Sequence, residues 1–388
     1  ACSTSCASLS VGICTQATGL YSSVFGYTAK ATGAAGTALG YKSCATSASS
    51  TAVGSLVKAT GSGSSALGYY TCAIGACSTA SGIYSCATGT SSSAFGRTAK
   101  ATGNYSTAIG YSSCATGTSS SAVGVLSCAT TSNSSAFGRS SVACGINDLA
   151  IGHTAITVPF AGATNKCPEA NISIGFCTKA QNGYRCDTTT DFYVPSIAIG
   201  SCACSTVCGS LSVGICTIAS GKCSSAFGML SCTHSYATES IAIGFKSCAE
   251  DMHSTAVGHC SSAIGINSTA SGYKSCAYTG STASGYCVKA GGIGVGGASA
   301  YGAKSTASGC YDIAFGNWAT TVVHAGATNK TPEANLSIGF CTKAQNGIRC
   351  GPGAGYHLPS VAIGSIACST SCGSLSVGIC TQATGLYS

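Results

Sequence analysis

The amino-acid sequence predicts an all-β protein, a parallel β-solenoid (β-roll) built from 14-residue coils with two short strands per coil. Three observations predict this fold: glycine recurs at every fourteenth position, small and bulky residues alternate around it, and few residues suit a large side-chain core. The glycines that mark the step are Gly12, Gly26, Gly40, Gly54, Gly68, Gly82, Gly96, Gly110, Gly124, Gly138 and Gly152.

Alternation within each repeat predicts strands. A bulky apolar residue precedes the main glycine and a small alanine stands one place earlier, as in Ala108, Ile109 and Gly110. An alternation of period 2 is typical of a strand whose side chains point to opposite faces. We expect glycine to supply positive φ at every turn and to let coils approach closely, at about 4.8 Å between stacked strands. Phe95, Ile109 and Val123 should therefore lie in one column.

The composition restricts the core and the cellular location. Only 7% of residues are charged and 53 are glycine, so the core must consist of small side chains stacked in register. The charge is too low for a disordered chain and glycine is too rare for collagen. The 29 cysteines favour an oxidising compartment. We therefore expect an extracellular or surface location, on the exterior of a cell, spore or virion.

Charge and hydrophobicity exclude two classes of partner. The 17 lysines and arginines are spread singly, without the basic clusters of a nucleic-acid groove, so no nucleic-acid partner is expected. No apolar run reaches the roughly 20 residues that span a bilayer, and no membrane span is predicted in this segment.

The glycine spacing divides the chain into five regions. Residues 1–152 are regular 14-residue coils, and 153–200 are coils with inserted loops. Residues 201–316 are less regular coils, 317–364 are a second copy of the looped coils, and 365–388 repeat the N-terminus. Slips of the step are expected near Glu239 and at 291–297.

Two longer repeats overlie the short glycine step. The looped coils that contain residues 163–166 and 173–183 recur at 327–330 and 337–347, and residues 1–22 recur at 367–388 with one change. We expect the chain to be one period of a longer tandem array, or a subunit that stacks end to end.

One five-residue motif resembles a known family. Residues 196–200, 240–244 and 360–364 read Ser-Ile-Ala-Ile-Gly, Ser-Ile-Ala-Ile-Gly and Ser-Val-Ala-Ile-Gly. The motif resembles the head repeats of the YadA-type trimeric autotransporter adhesins. The resemblance implies a left-handed parallel β-roll, three chains packed side by side, and a role in surface adhesion. The sequence departs from that family in its high cysteine content, and it shows neither a coiled-coil stalk nor a membrane anchor.

Cysteines at equivalent coil positions are predicted to form disulfides. Equivalent residues of adjacent coils lie one strand spacing apart, within the Cα separation that a disulfide tolerates. The predicted pairs between coils are Cys72–Cys86, Cys114–Cys128, Cys202–Cys216 and, if two extra residues bulge out, Cys232–Cys248. Within the inserted loops, a repeated close spacing predicts the pairs Cys177–Cys186 and Cys341–Cys350. A metal shared by Cys202 and Cys204 is the alternative, although zinc needs four converging ligands.

Other residue types point to surface features rather than to catalysis. Tyrosines that follow the main glycine predict a stacked outer ladder or a sugar contact; they are Tyr27, Tyr41, Tyr69, Tyr111, Tyr273 and Tyr286. Glycosylation sequons, which also suit turns, stand at Asn104, Asn133, Asn171, Asn267, Asn329 and Asn335. The histidines share no repeat position, and nine acidic residues are too few for clustered carboxylates. No enzyme activity, catalytic residue, metal or cofactor is predicted.

The sequence thus predicts a structural and possibly adhesive repeat segment of an extracellular fibre or surface appendage. Its expected partners are copies of itself, as a homotrimer or an end-to-end fibre, and a surface or glycan target. The alternative is an ice-binding or carbohydrate-binding β-solenoid. A regular Thr-x-Thr array on one face would favour ice binding.

Overall fold

The chain folds into two compact units, Ala1–Cys202 and Ala203–Ser388. The computed structural model describes residues 1–158, 170–181, 194–292, 296–322, 334–345, 358–371, 373–385 and 388. Across these residues the structure is a parallel β-solenoid with two strands per coil and no helix, as the sequence predicts.

In the first unit each coil supplies one strand to each of two sheets, which we call the long-strand sheet and the short-strand sheet, and the strands of each sheet pair in parallel with their counterparts. The long strands are Leu9–Ile13, Ser23–Tyr27, Thr37–Tyr41, Thr51–Ser55, Ser65–Tyr69, Thr79–Ile83, Ser93–Phe95, Thr107–Ile109, Ser121–Val123, Ser135–Phe137, Leu149–Ile151, Ile172–Phe176 and Ile197–Ser201. The short strands are Cys2–Ser3, Gln16–Ala17, Lys30–Ala31, Cys44–Ala45, Lys58–Ala59, Cys72–Ala73, Cys86–Ala87, Lys100–Ala101, Cys114–Ala115, Cys128–Ala129, Val142–Ala143, Ile156–Val158 and Lys179–Gln181.

The second unit repeats this arrangement. Its long strands are Leu211–Ile215, Ser225–Met229, Ile241–Phe245, Thr255–His259, Thr269–Tyr273, Thr282–Tyr286, Ser299–Ala303, Ile313–Phe315, Leu336–Phe340, Val361–Ser365 and Leu375–Ile379. Its short strands are Cys204–Ser205, Ile218–Ala219, Cys232–Thr233, Cys248–Ala249, Ser262–Ala263, Cys276–Ala277, Lys289–Ala290, Thr306–Ala307, Thr320–Val322, Lys343–Gln345, Cys368–Ser369 and Gln382–Ala383.

The strand register confirms the predicted columns. Phe95 pairs with Ile109, and Ile109 pairs with Val123, so each residue lies directly above its counterpart in the preceding coil. The step slips near Glu239, where Ser225 pairs with Ile241, and around residues 291–297, where Thr282 pairs with Ser299. The ladders continue on both sides of each slip.

Small side chains form the core. Ala94, Ala108 and Ala122 are fully buried and stack on one another in the long-strand sheet. Ala101 and Ala115 form the corresponding buried column of the short-strand sheet. A coil this short encloses little space. Alanine and serine side chains therefore fill its interior, and the bulky residues beside them must face outward.

The glycines act differently from the prediction. The main glycine lies near the end of each long strand, inside it at Gly12 and directly after it at Gly110, and it has a φ that side chains avoid, +126° at Gly110. The intermediate glycine, such as Gly103, does not have positive φ; a Cβ there would lie 2.0 Å from the Gly117 carbonyl oxygen. The expectation that glycine supplies positive φ at every turn is wrong. Most turns place a non-glycine residue there, such as Thr98 or Ser112.

Candidate functional site

The outer face of the long-strand sheet carries two adjacent apolar columns, which we call the apolar strip. One column precedes the main glycine and the other follows it, as with Ile109 (41% exposed) and Tyr111 (46% exposed) around Gly110. In the first unit its exposed members are Val11, Ile13, Phe25, Tyr27, Tyr41, Leu67, Tyr69, Ile83, Phe95, Ile109, Tyr111, Val125, Phe137, Ile151 and Phe176. In the second unit they are Ile215, Met229, Ile243, Tyr273, Tyr286, Phe315, Phe340, Val377 and Ile379. Ser55, Arg97 and Arg139 interrupt the column that follows the glycine. Exposed apolar surface of the kind that remains marks an interaction site.

Aromatic rings stack along the second column of the strip. The rings of Tyr27 and Tyr41 are 5.5 Å apart and nearly parallel. In the second unit Phe245, His259, Tyr273 and Tyr286 form a continuous stack with centroid separations of 4.8, 4.9 and 5.0 Å. This confirms the predicted outer ladder at Tyr27, Tyr41, Tyr273 and Tyr286, whereas Tyr69 meets Tyr84 edge to face. Such offset pairs contribute about 0.5–1.5 kcal/mol each beyond their buried area.

The opposite face, on the short-strand sheet, carries a column in which cysteines and lysines are the most frequent residues. The register pairs Cys72 with Cys86 and Cys114 with Cys128, and it places Lys100 between the two cysteine pairs. The cysteines are half-buried thiols, whereas the lysine is exposed. The predicted partners are thus direct neighbours in the ladder, and their disulfides remain a prediction.

Electrostatics favour a thiolate in each of these pairs. A hydrogen bond from Cys86, together with the charge of Lys58, lowers the pKa of Cys72 to about 6. The Cys114 pKa is likewise lowered to about 6 by its hydrogen bond with Cys128 and by Lys100. A thiolate is the nucleophile in disulfide formation, so each pair contains a reactive member at neutral pH.

The other predicted disulfides differ in what the structure describes. Cys232 pairs with Cys248 in the register although their coil is longer than the regular step, so the extra residues bulge out as expected. Cys202 ends the first unit and Cys216 belongs to the second, and their disulfide remains a prediction. Cys177 and Cys341 are exposed thiols, and their predicted partners, Cys186 and Cys350, lie outside the described residues.

We expect the Cys114–Cys128 disulfide to stabilise the oxidised protein by about 3 kcal/mol, because it closes a loop of about 15 residues in the unfolded chain. The double variant Cys114→Ser/Cys128→Ser should lose this free energy of unfolding in oxidising buffer and match wild type in excess reductant. Cys44→Ser is the control, since the register neighbours of Cys44 are Lys30 and Lys58. Guanidinium unfolding measures the difference. Full titration of every thiol in oxidised wild type would contradict the prediction.

Threonines form a single column beside the cysteines and lysines. Its members are half-buried or exposed: Thr18, Thr32, Thr46, Thr60, Thr88, Thr102, Thr116 and Thr130. The neighbouring outer column holds residues such as Lys100 and Cys114, so residues 16–130 form no Thr-x-Thr array. The arrangement does not favour ice binding over a fibre.

The sequons fall into two groups. Asn104, Asn133 and Asn267 are exposed, and they remain predicted acceptors. Asn171 and Asn335 are fully buried, which is incompatible with a glycan on either side chain in this fold. We therefore exclude these two, because the amide would have to leave the core. Asn329 lies outside the described residues.

Two buried aspartates were missed by the sequence reasoning. Asp148 accepts hydrogen bonds from the backbone N–H groups of Gly145 and Asn171, both at 2.7 Å, and the Asn171 side chain accepts one from the Ser196 N–H at 3.0 Å. Burial raises the pKa of the Asp148 carboxyl. The group connects the coils on either side of the first insertion. Asp148 occupies a coil position that is usually serine, as at Ser134, and that substitution was the available signal.

The second looped copy repeats this cluster. Asp312 accepts from the N–H groups of Gly309 at 2.8 Å and Asn335 at 2.7 Å, and Asn335 accepts from the Ser360 N–H at 3.0 Å. The recurrence of the same contacts indicates a structural role in holding the register at each insertion.

Comparison with known proteins finds one family. The family model described as "YadA head domain repeat (2 copies)" matches residues 17–43, 87–113, 115–141, 236–259 and 261–277. No curated protein sequence matches the chain. Among the described residues, no helix has the length and apolar character needed to cross a membrane. The matched segments lie in both units, and both units are parallel solenoids with mostly 14-residue coils, which is consistent with YadA-type head repeats.

Proposed function

We propose that the chain is a structural and adhesive repeat segment of an extracellular fibre or surface appendage. The observation that carries this proposal is the apolar strip, which runs beside a core that consists mostly of alanine and serine. Proteins with YadA head repeats are structural adhesins exposed at surfaces, and their heads generally form trimers. The strip supplies the apolar surface that such side-by-side packing buries.

Self-association through the strip follows from its chemistry. Its members project from regular strands, so each copy presents the same flat apolar columns to its neighbours. The predicted disulfides Cys72–Cys86 and Cys114–Cys128 lie on the opposite face, where they would staple coils within one chain without occupying the contact surface. The repeat of residues 1–22 at 367–388 supports end-to-end addition as a second mode of assembly.

Sedimentation velocity on the full chain tests the side-by-side assembly. We expect wild type to sediment as a trimer and the variant Phe95→Ser/Ile109→Ser/Val123→Ser to shift toward monomer, because it removes three apolar side chains from the strip. Serine is compatible with this column, since Ser81 already occupies it next to Phe95. The variant should retain the circular dichroism of a β protein.

A variant on the opposite face is the control. Replacing Lys100, Thr102 and Thr116 by serine changes three outer residues of the same coils without touching the strip. It should sediment like wild type. A monomeric wild type, or a strip variant with unchanged mass, would contradict self-association through this face.

A further inference from the structure

One cysteine pair in the second unit has a different environment from the other two. Cys232 and Cys248 face each other on adjacent short strands. His234 directly follows the first strand and Glu250 directly follows the second, and the His234 N–H donates to the Ala249 carbonyl at 3.0 Å. The two cysteines, the histidine and the glutamate therefore occupy the corners of a two-by-two array on one face of the sheet.

The ligand atoms of three of these residues already converge. The sulfur atoms of Cys232 and Cys248 and a ring nitrogen of His234 all lie within 4.8 Å of one another. A tetrahedral zinc ion with bonds of about 2.0–2.3 Å needs ligand atoms about 3.3–3.8 Å apart. The His234 side chain is exposed, so rotation of its ring can close the remaining distance.

We propose that Cys232, His234 and Cys248 bind a divalent cation of the zinc class, with Glu250 or a water molecule as the fourth ligand. Thiolate and imidazole are the ligands that zinc prefers in proteins. The Ser262 hydroxyl donates to Glu250 Oε1 at 2.9 Å, which restrains the carboxylate.

The two other cysteine pairs lack these features. Thr116 and Thr130 stand beside Cys114 and Cys128 where His234 and Glu250 stand beside Cys232 and Cys248, and Lys100 neighbours Cys114 in the column. Lysine repels a cation, and threonine is not a zinc ligand of the usual kind. The pair Cys114–Cys128 is therefore a control with the same pairing of the two cysteines on adjacent short strands.

Metal binding and a disulfide exclude each other at this pair. A bound zinc ion takes two thiolates, and both thiol protons pass to solvent, so no oxidant or reductant is consumed. A disulfide forms instead when an oxidant removes two electrons from the same two sulfur atoms. The proposal thus applies to the reduced pair, and the sequence-based expectation of a disulfide here describes the oxidised one.

Titration of the reduced full-length protein with Co²⁺ alone tests the site. Cobalt in a tetrahedral site with sulfur ligands gives visible ligand-field bands and thiolate charge transfer, so bound equivalents can be counted. We expect Cys232→Ser/Cys248→Ser to bind one Co²⁺ fewer than wild type, and Zn²⁺ to displace that equivalent. His234→Ser should lower the affinity for that Co²⁺ equivalent by about tenfold or more.

Serine replacements keep the test interpretable. Ser262 already occupies the column of Cys232 and Cys248, and Ser220 occupies the column of His234, so these variants should fold. Circular dichroism checks this. Cys114→Ser/Cys128→Ser should bind Co²⁺ like wild type. The proposal is overturned if the Cys232/Cys248 variant binds as many equivalents as wild type, if His234→Ser leaves affinity unchanged, or if the control variant loses the same equivalent.

Discussion

Replacement of Gly110 by valine should open the solenoid at that coil and lower the free energy of unfolding by at least about 4 kcal/mol. Gly110 has a φ of +126°, and a Cβ there would lie 2.1 Å from the carbonyl oxygen of Gly124 and 2.7 Å from its carbonyl carbon. The obstacle is backbone rather than a flexible side chain, so the two coils would have to separate. Their ladder hydrogen bonds would be lost with them.

Hydrogen exchange followed by mass spectrometry measures this effect, because it reports opening coil by coil. Peptides that cover Thr107–Ile109 and Ser121–Val123 should lose most of their protection. Gly63→Asn is the matched control: Gly63 also has positive φ (+66°), but a Cβ there first meets the Cys77 sulfur at 3.6 Å. We expect a change within about 1 kcal/mol for this variant. Equal loss of protection in both variants would show that close approach of the coils is not the reason for the glycine.

The step of the solenoid was predictable because glycine is required once per coil at a fixed position. Any other residue at Gly110 would clash with the next coil. The spacing of these glycines along the sequence therefore gives the coil length. The pairing of Phe95 with Ile109 and of Cys114 with Cys128 follows from that step alone. Period-2 alternation distinguishes the two faces of a strand. The small volume inside a coil then decides that alanine faces inward.

Turn conformation was less predictable. Thr98 and Ser112 adopt a left-handed conformation that costs roughly 1–2 kcal/mol for a residue with a side chain. Their N–H groups donate to carbonyls of the preceding coil, at 2.7 Å to Ile83 and 2.9 Å to Arg97. Tertiary hydrogen bonds of this kind offset the local cost. A sequence pattern that records only local preference does not reveal them.

The side-chain clusters depend on the irregular steps. Asp148 bonds to Asn171 across an insertion, and His234 meets Cys248 only because a lengthened coil keeps the register of Cys232 with Cys248. A constant step does not bring these residues together. Repeat analysis therefore predicts the columns of the regular coils, whereas clusters at slipped coils require the observed register.

Asp148→Ala should destabilise the coils around the first insertion by about 4 kcal/mol, the cost of leaving two buried donors unsatisfied. The substitution removes the acceptor of the Gly145 and Asn171 N–H groups, and each such group costs about 1–3 kcal/mol. Hydrogen exchange of peptides covering 142–151 and 170–176 should rise accordingly. Asp148→Ser should recover part of the loss, because one hydroxyl oxygen can replace only one of the two carboxylate contacts.

The second copy provides the control within the same molecule. Asp312 makes the equivalent contacts with Gly309 and Asn335, so peptides around it should keep their wild-type exchange in the Asp148 variant. The reciprocal variant, Asp312→Ala, should reverse the pattern. If neither substitution changed exchange near its own insertion, the carboxylates would not hold the register there. The expected pattern would identify the buried aspartate of each copy as a residue that lets the ladder continue across the insertion, from Leu149 to Ile172 and from Ile313 to Leu336.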